Sequence, residues 1–273
     1  MFNSARLVGP SIAGLLVAAI GEGPCFLLNA VSFLAIIGTL LAMRIPRRKS
    51  ETASASLFHG FKEGYRYVLG FPPIRYVLLL LALTSLVGMP YMVLMPILAR
   101  DILHGGPHTL GFLMGASGVG ALVGALYLAS RKSVLGLERL IVIASSIFGA
   151  GLIVFSFSRY LPLSLFILLF AGFGMIIQMA SSNTILQTIT DEDKRGRVMS
   201  FYTMAFGGTA TFGSIMAGSL ASRIGAPHTV IIGGTICIIG SLFFLKKLPL
   251  IRQSARPIYI KMGIIQEMPV EPK

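Results

Sequence analysis

Eight apolar stretches, each close to the length needed to cross a lipid bilayer, are joined by short connections whose basic residues fall almost wholly on alternate connections. An α-helix rises about 1.5 Å per residue, so a hydrocarbon core of about 30 Å takes roughly 20 residues. The stretches run near 4–20, 24–43, 76–99, 109–130, 140–157, 161–187, 198–221 and 228–245. Backbone groups in lipid need internal partners, which leaves helices or a closed barrel. Runs such as Tyr76–Leu83 and Leu161–Phe170 lack the period-two alternation of a barrel strand. Hydrophobic residues make up 55% of the 273-residue chain and charged residues 12%, more apolar surface than a soluble domain of this length can bury. An all-α membrane protein with eight transmembrane helices is predicted.

The formal charge of +13 invites a nucleic-acid reading, but its distribution argues against one. Nineteen of the 23 lysines and arginines lie on four segments: loop 44–75, loop 131–139, loop 191–197 and the segment after residue 245. The intervening loops carry only Arg100, Arg159 and Arg223, and Arg6 stands near the start. By the positive-inside rule the four basic segments are cytoplasmic, and an even number of spans puts both termini there too. No nucleic-acid partner is expected; the bilayer is the partner this pattern implies.

Reactive chemistry is sparse. Cys25 and Cys237 lie in or beside apolar spans and read as small packing residues. His104 and His108 flank Gly105–Gly106–Pro107, a helix-breaking run, so they lack metal-site spacing. No cluster of His, Cys or acids supports an enzyme, and no metal or cofactor is expected. None of the ten carboxylates lies in the middle of a span. Proton coupling usually needs a titratable group in the membrane, and these spans do not carry such a carboxylate.

Loop 44–75 is the longest internal connection. Within it Phe58, Phe61, Tyr65 and Val68 recur at helical spacing with Lys62, Glu63 and Arg66 between them, which predicts an amphipathic helix on the cytoplasmic membrane surface. The expected division is 1–43 as a two-helix piece, 44–75 as a cytoplasmic linker, 76–247 as a six-helix block and 248–273 as a poorly ordered cytoplasmic tail. An internal repeat spans this division. At an offset of 204, Gly9, Ala13, Gly14, Leu16, Ile20 and Gly21 match Gly213, Ala217, Gly218, Leu220, Ile224 and Gly225. Spans 1–2 thus correspond to spans 7–8, the pattern of a transporter built from two parallel six-helix halves.

Three stretches carry a resemblance. Asn3–Gly14 is similar to the fifth-span antiporter motif ending Gly-Pro-x-x-Gly-Gly, with Ala13 in place of the first of the two final glycines. Asp191–Ser200 resembles the loop between spans 10 and 11, and Ile224–Pro227 the outer turn before span 12. On these grounds the chain resembles spans 5–12 of a major facilitator superfamily transporter. The resemblance is to the bacterial exporter branch that includes the enterobactin exporter and the transmembrane secretion effector permeases. It implies a secondary-active exporter of small molecules such as siderophores or drugs, working by alternating access in the bacterial cytoplasmic (inner) membrane. It also implies an incomplete fold: the last two helices of one half plus a six-helix half, with four helices absent that a partner chain could supply. The alternative is a truncated or split helix bundle without transport of its own.

Candidate residues follow from chemistry. Gly9, Pro10, Ala13 and Gly14, with Gly213 and Gly218 in the repeat, form a small-residue motif suited to close helix contact or to a pliable seal. Ala116, Gly120 and Gly124 recur every four residues and read as plain packing. Arg6 could meet an anionic substrate group or snorkel to the interface. Gln178, Asn183 and Gln187 in span 6, Asn29 in span 2, and Tyr91 between Pro90 and Pro96 are cavity-lining candidates; the amides could equally bond a neighbouring helix. Asp191, Arg195 and Arg197 form a charged turn that could gate the cytoplasmic face or simply anchor topology.

Overall fold

The computed structural model describes residues 22–42, 57–131 and 133–263. They are helical almost throughout, with no strand among them. The helices are α1 (Glu22–Ala42), α2 (Leu57–Gly70), α3 (Pro72–Val87), α4 (Tyr91–Ile97), α5 (Pro107–Ser130), α6 (Leu137–Phe157), α7 (Leu161–Ile189), α8 (Glu192–Thr203), α9 (Thr209–Ile224) and α10 (Ala226–Lys261). π-Helical turns at Leu98–Ile102 and Met204–Gly208 extend α4 and join α8 to α9. Prolines open α3, α5, α7 and α10, where their missing N–H leaves no bond unmade. Gly225, at φ 88°, makes the sharp turn between α9 and α10 that a residue with a Cβ reaches only under strain.

By length and composition five helical stretches can cross a membrane: Pro72–Ile102, Pro107–Ser130, Leu137–Phe157, Leu161–Ile189 and Ala226–Ile260. Ala30–Ala42 adds a shorter apolar one. The first expected span, 4–20, lies outside the described residues. The seventh, 198–221, falls on α8 and α9, which are less apolar and are separated by the π turn. Near Pro90 the span Pro72–Ile102 is interrupted: α3 stops at Val87 and α4 starts at Tyr91. α1 leaves Leu27, Val31, Leu34 and Leu41 between 56% and 83% exposed, an apolar surface that water would not tolerate but lipid or further helices would cover.

Side chains sort into two main cores, one at each end. Val68, Leu137, Ile189, Val198 and Leu248 share the first. Leu98, Phe155, Ile167 and Ala226 share the second. Alternate connections therefore meet: the loops before α6 and α8 gather with α2 and the C-terminal part of α10 at one end, the basic end. The α4–α5, α6–α7 and α9–α10 turns gather at the other. α7 packs between α5 and α6, and its approach to α5 needs glycine. A Cβ on Gly120 would strike the Leu169 carbonyl, and one on Gly172 the Ser117 carbonyl. The stripe of Ala116, Gly120 and Gly124 is thus set against a neighbouring helix.

One expectation fails. The stretch after Lys247 is ordered helix as far as Lys261. Leu248, Ile251, Ala255 and Tyr259 recur on one face and are all buried in the basic-end core. Lys, Arg and two prolines punctuate that stripe, which made it read as polar tail. The apolar face nevertheless holds the helix against α3, α6 and α7.

Candidate functional site

The polar face expected on α7 divides into two unrelated places. Gln178 is 3% exposed, and its side-chain amide donates to Thr84 Oγ1 on α3 at 2.7 Å. The Thr84 hydroxyl in turn donates to the Leu80 carbonyl at 2.9 Å. The void beside this pair is about 10 Å³, at the edge of what one water needs. Gln178 thus ties α7 to α3 and meets no open cavity. Asn183 and Gln187 lie further along α7, about 14 Å away for Gln187. Gln187, exposed, donates to Asn183 Oδ1 at 2.5 Å, and the nearby Tyr202 hydroxyl donates to the Met179 carbonyl at 3.3 Å.

Among the described candidates, Tyr91 borders a cleft. It opens α4, is 2% exposed, shares a 3.0 Å hydrogen bond with Ser117 Oγ on α5, and meets the edge of Phe148 with ring centroids 5.9 Å apart. It borders a cleft of about 190 Å³ together with Met92, Met95, Met114, Ser117 and Met175. Methionine is unbranched and polarisable, so such a wall can fit apolar bodies of different shapes. The hydroxyl pair is the polar feature, and among the described residues no charged side chain borders the cleft. Sequence reading passed over Ser117 and the four methionines. Their signal was there only weakly, as Met92 and Met95 spaced one turn apart between two prolines.

The charged turn at the basic end is joined to α2. Glu63 holds Lys194 at 2.7 Å and Arg197 at 2.6 Å. Lys194 also meets Asp193 at 3.2 Å, and the Tyr67 hydroxyl donates to Asp191 Oδ2 at 3.2 Å. The hydrogen bond from Lys194, followed by that from Arg197, lowers the Glu63 carboxyl to about 2. The same carboxylate, with Asp193, raises the Lys194 ammonium above its ordinary value. Arg195 takes no part in these ion pairs, and among the described residues its buried Nε has no hydrogen-bond partner. The key acid, Glu63, read in sequence only as a polar position on the linker helix. The face of α2 that packs inward carries Gly64 and Val68, both buried, while Tyr65 points outward at 51% exposure. A helix lying between a bundle and a bilayer has two apolar neighbours, so its apolar residues divide between them.

The repeat glycines also differ. Gly213 packs so closely on α3 that a Cβ would strike the Leu86 carbonyl, whereas Gly218 has nothing within 4 Å. Arg6, Gly9, Pro10, Ala13 and Gly14 lie outside the described residues, as does the side chain of Asn29.

Against known proteins, the profile of the family described as transmembrane secretion effector matches residues 1–259. The multidrug efflux pump Tap of Mycolicibacterium fortuitum is 27% identical over 233 residues, covering 84% of this chain and 56% of that protein. The staphyloferrin A transporter of Staphylococcus aureus is 24% identical over 252 residues, covering 90% of this chain and 62% of its own length. The chain spans about three fifths of the length of the curated relatives it matches. In three dimensions it is similar to a bacterial homologue of the human lysosomal transporter Spinster, solved inward-facing and unoccupied. The TM-score is 0.52 at 14% identity, covering 94% of this chain and 68% of that one, a likeness of fold.

Proposed function

The chain belongs to the transmembrane secretion effector family of the major facilitator superfamily, and from that premise we propose that it forms the substrate-handling part of a secondary-active exporter working by alternating access. The family match along residues 1–259 carries this reading. Residues 1–43 would be the last two helices of one half, 44–75 the cytoplasmic linker and 76–247 the six-helix half. The stretch 248–273 would lie on the cytoplasmic side of a bacterial inner membrane. The substrate class follows from the cleft beside Tyr91. Its wall is methionine, its polar feature is a Tyr–Ser hydroxyl pair, and among the described residues it has no counter-charge. Those features suit a bulky apolar compound with a neutral polar group, such as a drug, better than a multiply charged siderophore.

Reconstitution of the 273-residue chain in proteoliposomes under an imposed proton or sodium gradient tests this. The expected outcome is gradient-dependent movement of a fluorescent apolar dye or a macrolide. The pair Met92→Ala and Met95→Ala should weaken half-saturation about threefold to tenfold, the effect of losing roughly 1 kcal/mol of contact. Flux absent under every gradient would favour a helix bundle that does not transport on its own.

A further inference from the structure

A second cavity, of about 460 Å³, lies at the basic end between the first turn of α6 and the C-terminal part of α10. Its floor is apolar, with Pro73, Leu135, Ile251 and Ala255, and its rim carries Arg139, Arg252 and Arg256. Among the described residues one carboxylate faces these three cations: Glu138, almost buried, holds Arg252 Nε at 2.8 Å. Among the described residues Arg139 and Arg256 have no acidic partner. Over the described residues the groove is thus cationic in excess, with two guanidinium groups outside any ion pair.

Its depth is set by α6. That helix has 21 residues, about 31 Å, which is one hydrocarbon thickness. Its first turn, with Glu138 and Arg139, therefore falls where hydrocarbon meets headgroups. The 2.8 Å contact between Glu138 and Arg252 brings α10 to the same level. An apolar floor under uncommitted guanidinium groups at that depth matches an amphiphile with an anionic phosphate. We propose that this groove binds an anionic phospholipid, its phosphate on Arg139 and Arg256 and the base of its acyl chains on Leu135 and Ile251. The site is separate from the Tyr91 cleft, which borders the core at the opposite end. Bound there, the lipid would clamp α10 to α6 on the face where alternate loops converge.

The chain contains no tryptophan, so Leu135→Trp, at a groove residue that is already 38% exposed, places one emitter in the site. The chain carrying it is reconstituted in phosphatidylcholine bilayers containing about 10 mol% of brominated phosphatidylglycerol or of brominated phosphatidylcholine. The brominated anionic lipid should quench at least about threefold more strongly than the zwitterionic one at equal content. Arg139→Gln with Arg256→Gln should remove that preference, while Arg139→Lys with Arg256→Lys and, at the opposite end, Arg159→Gln should keep it. Far-ultraviolet circular dichroism and a single size-exclusion peak establish that the variants are folded; if the double glutamine variant fails there, the single variants, each halving the preference, take its place. Equal quenching by the two lipids would overturn the proposal, as would a preference that survives loss of both arginines. So would millimolar inorganic phosphate shifting the emission in lipid-free detergent as strongly as phosphatidylglycerol does, which would make this a site for free anions.

Discussion

Gly213 and Gly218 look equivalent as letters, since both match glycines in the first span of the repeat. Their surroundings separate them, because one lies against the Leu86 backbone and the other faces open space. Gly213→Ala should destabilise the protein by about 1–3 kcal/mol, the usual penalty of forcing a methyl group into a filled contact. Gly218→Ala should stay within about 0.5 kcal/mol. Thermal unfolding in detergent reads both, and equal shifts would show that the α3–α9 contact is not the reason for glycine at 213. The same contrast governs the polar candidates. Gln178 and Tyr91 could each be singled out as a polar group in an apolar span. Whether such a group meets a neighbouring helix or a cleft depends on what lies across from it, and that partner is distant in sequence: Thr84 for one, Ser117 for the other.

The linker helix α2 was readable as an amphipathic segment, because its periodicity is local. Its fastening to the charged turn was not, since Glu63 and Lys194 are 131 residues apart. Glu63→Gln should release α2 from that turn, seen as faster hydrogen exchange over residues 57–70. The pH dependence has a definite sign. Without its partners this carboxyl protonates near 4.5, and with them near 2. The stabilisation from pairing is complete above about pH 4.5 and is lost as pH falls through about 2. The difference between wild type and variant should therefore be full at pH 7, shrink below about 4.5, and weaken at high salt because the carboxylate is partly exposed. Identical exchange at pH 7 would refute the fastening. α10 teaches the converse lesson. Its apolar stripe past Lys247 was present in the letters but hidden among charges and prolines, and it gained meaning only from the core it covers.

For the molecule as a whole, the sorting of alternate connections to opposite ends leads to an orientation. Reporter fusions at residues 135 and 195 should lie in the cytoplasm, and those at 105 and 159 outside. Fusions at 135 and 195 on opposite sides would break the helix order itself; both outside would invert the orientation. That a chain of this composition folds as a helical membrane protein followed from the letters alone. Apolar runs of bilayer length need internally bonded backbones, and each run carries that information locally. The alternation of basic loops, also local, foretold which connections would meet. The choice among candidate residues belonged to the folded bundle: a methionine-lined cleft at Tyr91, a sealed bridge at Gln178, a cationic groove between α6 and α10. Each depends on which helix stands opposite, and helix pairing rests on contacts between residues far apart in the chain.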